Sequence, residues 1–347
     1  MQHFVQAEGV RGNRMPRGWR EFLREKKSVP VLDHGKRSEI SRLLAGRVLF
    51  DTPMKEHTSL RVGGPADCLA NPRTLEELKE LLMFLRQENI PCTIMGRGTN
   101  IVVKDGGIRG VTIRFRDGLR QWKREGEEVL YAEAGMPLAG LVKFAIEWGL
   151  EGLEGMAGIP GSLSGAIRMN AGTRQGEIGN AVSTIGIIDS EGTHRDLGKE
   201  ELEFSYRHAS IPRGAVIVSA NLVLRKGDRE ALRRRALELL AYRRKTQPVF
   251  LPSAGSIFKN PKGEPQKERM PAGKLIEECG LKGVRVRGAQ ISPLHANFIV
   301  NLGGAAAKDV LSLIGLIKER VYELRGISLE PEVSVVGEDP DETKEEN

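Results

Sequence analysis

Apolar positions along the chain divide it into helices of period 3.6 and short strand-like runs, and the order of these segments sets the fold class. In "TLEELKELLMFLRQEN", Leu75, Leu78, Leu81, Leu82 and Leu85 fall on one helical face, and Thr74 with Glu77 forms a capping-box signature at its start. The runs "IPCTIM" and "NIVV" read as strands around the loop "GRGT", and "GIRGVTIRF" as another. After "VLYAEAG" the pattern predicts a helix from Leu138 to Trp148, and "VSTIGIIDSEGTHRDL" a hairpin turning at Gly192, followed by the strand "AVIVSANLVL". "DREALRRRALELLAYRRK" is a basic helix capped by Asp228, and the change in polarity there suggests a domain boundary. The last third holds "AGKLIEECG", the strand-like "VRVRGAQIS" and "ANFIVNL", the helix "AAAKDVLSLIGLIKERVYELRG" and a closing "EPEVSVVG". Gly280 and Gly326 stand where helix C-caps belong. Strands in clusters rather than strict βαβ alternation predict an α+β architecture.

Length and charge narrow the function. A chain of 347 residues should form two or three domains. The net charge of +7 is unevenly distributed: residues 1–45 hold ten Lys/Arg against five Asp/Glu, whereas residues 338–347 hold six acids and one Lys. These ends read as a solvated basic arm and an acidic tail. Aromatic residues make up only 5% and form no basic-aromatic stripe, so nucleic acid is not the expected partner; a cationic body suits an anionic small ligand. No apolar run reaches the ~18 residues of a membrane span, and the first residues lack the apolar core of a signal peptide. A cytoplasmic protein is expected. Three cysteines without CxxC spacing and six scattered histidines predict neither a disulfide framework nor a metal site.

Two loops carry the chemistry. "GRGTNIVV" sets Gly96 and Gly98 beside Arg97, Thr99 and Asn100, a composition that exposes backbone N–H groups to oxyanions. It runs into a strand and not a helix, so it is no Rossmann fingerprint, and alone it says little more than a turn. "GIPGSLSGAIRMNAG" places Gly158, Gly161, Gly165 and Gly172 in one window with Pro160, Ser162 and Asn170. That segment is too rich in glycine for an element interior and too apolar for a solvent loop, as expected where backbone approaches a ligand closely. Two such loops suit a ligand with a diphosphate, a dinucleotide above all. Further on, "LPSAGSIFKNPKG" holds Ser256 with no His base in view.

At these residues the chain resembles the UDP-N-acetylenolpyruvoylglucosamine reductase family. The motifs GRGTN, GIPGSLSGAIRMNAG, SYRHASIP, GSIFKNP, AGKLIEECG, GAQIS and HANFIVN occur in that order between "HTSLRVGG" and "EPEVSVVG". The resemblance implies an FAD-binding region of the vanillyl-alcohol-oxidase/PCMH type in two subdomains, at about 46–110 and 111–227. A C-terminal α+β substrate-binding domain at 228–337 follows, flanked by the arm 1–45 and the tail 338–347. It implies non-covalent FAD, NADPH as co-substrate and a UDP-linked aminosugar whose enolpyruvyl group is reduced, giving UDP-N-acetylmuramate for peptidoglycan synthesis. Of the site residues, it implies Ser256 as proton donor, Arg207 as cationic stabiliser and Glu332 as acidic partner of the intermediate. Glu332 then needs a raised pKa or an Arg207 contact. Cofactor contacts are expected from Arg97, Gly98, Thr99, Asn100 and Ile101, and from Gly158, Ile159, Pro160, Gly161, Ser162, Gly165, Ala166, Asn170 and Gly172. Substrate contacts are expected from Tyr206, Lys259, Asn260, Gln290, His295 and Asn297.

The residues leave some readings open. Ser256 as a turn serine, Arg207 as a surface cation, Glu332 as a strand end, and His295 and Asn297 as polar strand-edge residues are the bland alternatives. His57 is expected to serve the fold or lie in solvent, with no bond to flavin. Ser164 replaces a glycine common in the family, "KGEPQKERMP" lengthens one connection, and the stretch from Arg207 to Ser256 is too short for the tyrosine-bearing loop of one branch. The other function classes are a related FAD-dependent oxidase of a sugar or carbinol, and a colourless basic binding module.

Overall fold

The computed structural model describes residues 32–262 and 270–340. Most of the expected basic arm, residues 1–31, lies outside the described residues, as do 263–269 within the lengthened connection and 341–347 of the tail.

The first layer is a four-stranded sheet of β1 (Val48–Pro53), β2 (Pro65–Ala70), β3 (Cys92–Met95) and β5 (Ile108–Arg114), in the order β1-β2-β5-β3. β1 runs antiparallel to β2, while β2, β5 and β3 are mutually parallel. A parallel pair needs a crossover, and helix α2 (Leu75–Gln87) supplies it, burying Leu78, Leu81 and Leu85 against Val111 and Ile113. Each such leucine contributes on the order of 1.5–3 kcal/mol. The Thr74 hydroxyl caps the helix by accepting the Glu77 N–H, but the Glu77 carboxylate reaches back to the N–H of Arg73, one residue before the expected box. Residues expected as arm also belong to this layer. Asp33 caps helix α1 (His34–Leu43), and Ile40 and Leu44 are fully buried in the same core.

The second layer is a five-stranded antiparallel sheet of β6 (Trp122–Glu125), β7 (Val129–Glu133), β8 (Val182–Ile188), β9 (His194–Gly198) and β10 (Val216–Val223), in the order β9-β8-β10-β7-β6. Helix α3 (Leu138–Glu147) packs Leu141, Val142 and Ala145 into its core, and the short helix α4 (Leu163–Arg168) adds Leu163 and Ile167. Helix α5 (Arg229–Thr246), expected to open the third unit, instead lays Ala236, Leu239 and Leu240 on this second core. β5 continues through residue 114. We therefore propose that the first division falls at about 115–121 and that the third unit begins after α5.

The third layer is the antiparallel sheet of β11 (Ser253–Ser256), β12 (Arg285–Val286), β13 (Ala289–Ile291) and β14 (Phe298–Asn301), in the order β11-β14-β13-β12. Helices α6 (Ala272–Glu278) and α7 (Ala307–Arg325) cover one face, with Leu275, Ile276, Val310, Leu313 and Ile317 buried against Ala289, Ile291 and Ile299. Gly280 and Gly326 have left-handed backbone after these helices, as C-capping requires.

The chain end returns to the first layer. β15 (Ser334–Val336) pairs in parallel with β4 (Ile101–Val103), the strand leaving the GRGTN loop. The Asp105 carboxylate accepts the N–H groups of Ala307 and Lys308 at the start of α7. Glu338 extends the tie, accepting from Gly106 N–H and donating to Gly107 C=O. Among the described residues, no helix is long and apolar enough to cross a membrane.

Candidate active site

The two glycine-rich loops meet face to face between the first and second layers. The Thr99 hydroxyl donates to the Pro160 carbonyl at 3.4 Å, and a Cβ on Gly96 would sit 2.4 Å from the Ser162 Oγ. Gly98 has φ +67°, and any side chain there would meet the His57 carbonyl at 2.6 Å; Gly161 has φ +140°. Beside this junction lies a cavity of about 690 Å³, lined from one side by Ile94 and Gly96 and from the other by Ser164, Gly165 and Val216. A cradle of bare backbone, shut to any Cβ and open into a crevice between two subdomains, fits the diphosphate and adenosine of a dinucleotide.

Beneath the first loop, both ring nitrogens of His57 are committed. Nδ1 lies 2.9 Å from an Arg114 guanidinium that can only donate, so Nε2 carries the proton and donates to the Thr52 hydroxyl at 3.1 Å. Burial holds its pKa below the ordinary histidine value. His57 therefore supports the loop as a neutral strut. Ser59, from the same motif, accounts for "HTSLRVGG": its hydroxyl donates to the Ser253 carbonyl at 2.6 Å and its N–H to the Gly98 carbonyl, stitching the loop to the strand that ends at Ser256.

A second cluster lies on the other side of that stitch. Arg207 occupies the tip of a two-residue turn between the paired segments Phe204–Ser205 and His208–Ala209, with φ +58°, a conformation that costs an ordinary side chain of order 1 kcal/mol or more. Its Nε donates to the Glu332 Oε1 at 2.7 Å and an Nη to the Gly172 carbonyl at 3.4 Å, while its guanidinium lies 4.9 Å from the Tyr206 ring. The Glu332 side chain is only 14% exposed, and burial raises its carboxyl pKa despite the nearby Arg207 and Lys259 charges. Both expected features of Glu332, the raised pKa and the arginine contact, are therefore present.

The segment carrying Glu332 is tied directly to Ser256. Glu332 N–H donates to the carbonyl of Ile257, the next residue after Ser256, and Asn100 of the first glycine loop donates to the Glu332 carbonyl at 3.2 Å. Ser256 ends β11 after a bulge at Gly255, whose φ is +76°. Among the described residues, its hydroxyl has no hydrogen-bond partner, which disfavours the turn-serine alternative.

Other expected contacts separate into positioning groups and open ones. Asn297, expected as a substrate contact, is 4% exposed and engaged with Phe258, its Oδ1 accepting the N–H and its amide donating to the C=O, so it clamps the Ser256 strand. Asn170, expected at the cofactor, is likewise committed to protein. It accepts from Gly179 N–H and donates to the Ser205 carbonyl and the Glu177 carboxylate, fixing the Arg207 turn. His295 accepts the Asn297 N–H and packs edge-on to Phe298, and burial lowers its pKa. Tyr206 accepts the Asn260 N–H at 3.2 Å, the Asn260 side chain accepts the N–H of Ala272, and Lys259 pairs with Glu330. Gln290 donates to the Gly283 carbonyl and lies two strands from Ser253, through Val300, in the sheet ladder. Ser164 adopts ordinary helical backbone in α4 with its N–H on the Ala134 carbonyl, so serine fits where glycine is common. Between Arg207 and Ser256 the chain is taken up by β10, α5 and their connections, with no room for a further loop. Among the described residues, no cluster of three or more His, Cys, Asp or Glu is arranged to hold a metal ion.

A glycine-flanked crevice between two subdomains, tied to a third that carries Ser256 and Glu332, suits an enzyme that works through a bound dinucleotide. Residues 66–198 match the FAD binding domain family, and residues 247–336 match the family described as UDP-N-acetylenolpyruvoylglucosamine reductase, C-terminal domain. The UDP-N-acetylenolpyruvoylglucosamine reductase of Syntrophus aciditrophicus is 46% identical over 90% of this chain and 99% of its own length. That of Clostridioides difficile is 44% identical over 84% of this chain and 94% of its own. The crystal structure of the Thermus caldophilus reductase superposes with a TM-score of 0.70 at 39% identity, covering 82% of this chain and 98% of that one. The chain belongs to the UDP-N-acetylenolpyruvoylglucosamine reductase family. Its α+β fold and its FAD-binding region follow with that membership.

Proposed function

We propose that this protein reduces the enolpyruvyl double bond of UDP-N-acetylglucosamine enolpyruvate to give UDP-N-acetylmuramate, in the cytoplasm and for peptidoglycan synthesis. FAD held by the two glycine-rich loops would supply hydride chemistry, with NADPH as reductant and the methylene carbon of the enolpyruvyl ether as acceptor. Negative charge then develops on the adjacent carbon and spreads into its carboxylate. The Arg207 guanidinium stabilises that carboxylate. Glu332, whose carboxyl burial holds above the ordinary glutamate range, donates a hydrogen bond to the same group in its protonated form. Ser256 then delivers its hydroxyl proton to the carbon. A carbanionic centre is basic enough to take a proton from an un-ionised alcohol, so no histidine is needed.

The observation that carries this reading is the Arg207–Glu332 pair on a segment whose backbone is bonded to Ile257, the residue after Ser256, whose hydroxyl has no hydrogen-bond partner among the described residues. For the cofactor, the residues best placed are Gly96 to Ile101 on one side and Gly158 to Ala166 on the other. Under anaerobic conditions NADPH should bleach the yellow enzyme, and the enolpyruvyl nucleotide should restore its colour with a product two hydrogens heavier. A reduced enzyme reoxidised by oxygen but not by the enolpyruvyl nucleotide would overturn the reading in favour of an oxidase.

A further inference from the structure

Helix α5 has one side claimed by the second core and the rest left to solvent. Ala236, Leu239 and Leu240 pack on that core, and Leu232 is buried beside them in the helix's inner stripe. Arg234, Leu237, Ala241 and Lys245 recur at i, i+3, i+7 and i+11, so they form one exposed stripe on the far side, flanked by exposed Arg233, Tyr242 and Arg244. The helix holds seven Arg or Lys against two Glu. Arg235 pairs with Glu154. Among the described residues Arg229, Arg233, Arg234, Arg244 and Lys245 have no hydrogen bond or ion pair, so the two helical acids, Glu230 and Glu238, compensate none of them directly. A helix face that only solubilises a protein mixes both signs and pairs them along the turn.

Apolar groups stand among these cations and just beyond them. Leu237 and Tyr242 are each more than half exposed, and Val249, Phe250 and Leu251 follow the helix end, all exposed. The Leu251 N–H donates to the Pro248 carbonyl, closing a tight turn that presents Phe250 at 85% exposure, the highest of any large apolar side chain among the described residues. Single exposed hydrophobic residues are ordinary; a run of them beside unpaired cations marks a contact surface. A nucleic acid or an acidic protein segment would satisfy the cations alone. A bilayer with anionic lipid satisfies both sets, because its headgroups attract Arg and Lys while the zone about 5–10 Å below accepts Phe, Leu and Tyr. We propose that the exposed face of α5, with the turn at Val249–Leu251, docks the protein peripherally on an anionic lipid surface. Arg233, Arg234, Arg244 and Lys245 lie at the headgroups, and Phe250 and Leu237 enter the interface. This docking is independent of the reductase reading.

The test is co-sedimentation of the full, flavin-loaded chain with vesicles of phosphatidylcholine containing phosphatidylglycerol, and with vesicles of phosphatidylcholine alone. The wild-type protein should bind the anionic vesicles at least about tenfold more tightly, and raising salt from about 0.1 M to about 0.5 M should release it. Arg233→Gln, Arg234→Gln and Lys245→Gln combined should weaken binding by roughly a hundredfold, about fivefold per charge, with flavin content and NADPH bleaching unchanged. Phe250→Ser alone should weaken it by about fivefold or more. Absence of wild-type binding, or equal binding to both kinds of vesicle, overturns the proposal. So does undiminished binding by the triple variant, which would move the contact away from α5. Undiminished binding by Phe250→Ser also overturns it, and equally tight binding of a duplex oligonucleotide would then assign the face to nucleic acid. Should the triple variant lose its flavin, the salt dependence and Phe250→Ser decide between these outcomes.

Discussion

The crevice between the first two layers and the cluster around Ser256 are neighbours built on opposite principles. The crevice is made of backbone: Gly96, Gly98, Gly158 and Gly161 leave no side chain in the way, and the loops touch through Thr99 and Pro160. The cluster is made of side chains, a guanidinium and a carboxyl 125 residues apart brought to 2.7 Å, with the serine one residue from the carbonyl that accepts the Glu332 N–H. A backbone site tolerates changes of charge nearby but not a Cβ. A side-chain site tolerates neither loss of a functional group nor a shift of the strands that hold it. Each region should therefore fail in its own way.

The largest effect is expected in the crevice. Gly98→Val combines a positive φ with a carbonyl 2.6 Å from the new Cβ, so the purified protein should lose most of its yellow colour and both half-reactions together. Retention of full flavin absorbance would show that the first loop does not approach the cofactor. In the cluster, Glu332→Gln should leave flavin and NADPH bleaching intact and slow reoxidation by about 10²-fold, within the range for losing an acid at a reacting group. Because burial raises the Glu332 pKa and the protonated form is the active one, the wild-type rate constant should fall as pH rises through a value above ~4.3, the ordinary glutamate pKa. The Gln variant should lack that limb, and a pH profile identical to wild type would remove Glu332 from the chemistry. The smallest effect falls on the scaffold. Asn297→Ala strands the buried N–H and C=O of Phe258 and should cost about 2–4 kcal/mol of unfolding free energy in denaturant titration, with flavin binding largely kept. A loss below ~0.5 kcal/mol would mean that water replaces the clamp.

The two regions also differed in how legible they were from sequence. The glycine loops are contiguous; the composition of the second points to close backbone approach, while the first alone says little more than a turn. Ser256, Arg207 and Glu332 carry no local signal, because a serine, an arginine and a glutamate on separate strands meet only through tertiary structure; the ordered motifs of the family supplied them. Asn170 and Asn297 hold buried peptide groups of the protein, a role that a polar residue inside an apolar motif does not distinguish in sequence from a ligand contact. Helix α5 was assigned to the wrong neighbour: its many arginines mask the narrow stripe of Ala236, Leu239 and Leu240 that seats it on the second core. Helix α1 was read as arm because few apolar residues anchor it, chiefly Ile40 with Leu44 just beyond its end.

The central claim is that the Ser256 hydroxyl protonates the substrate carbon while the crevice independently holds and exposes the flavin. Anaerobic stopped-flow on Ser256→Ala tests it in one experiment. The account predicts wild-type flavin content and wild-type bleaching by NADPH, followed by reoxidation with the enolpyruvyl nucleotide slowed by about 10²–10⁴-fold. Reoxidation at the wild-type rate would contradict it.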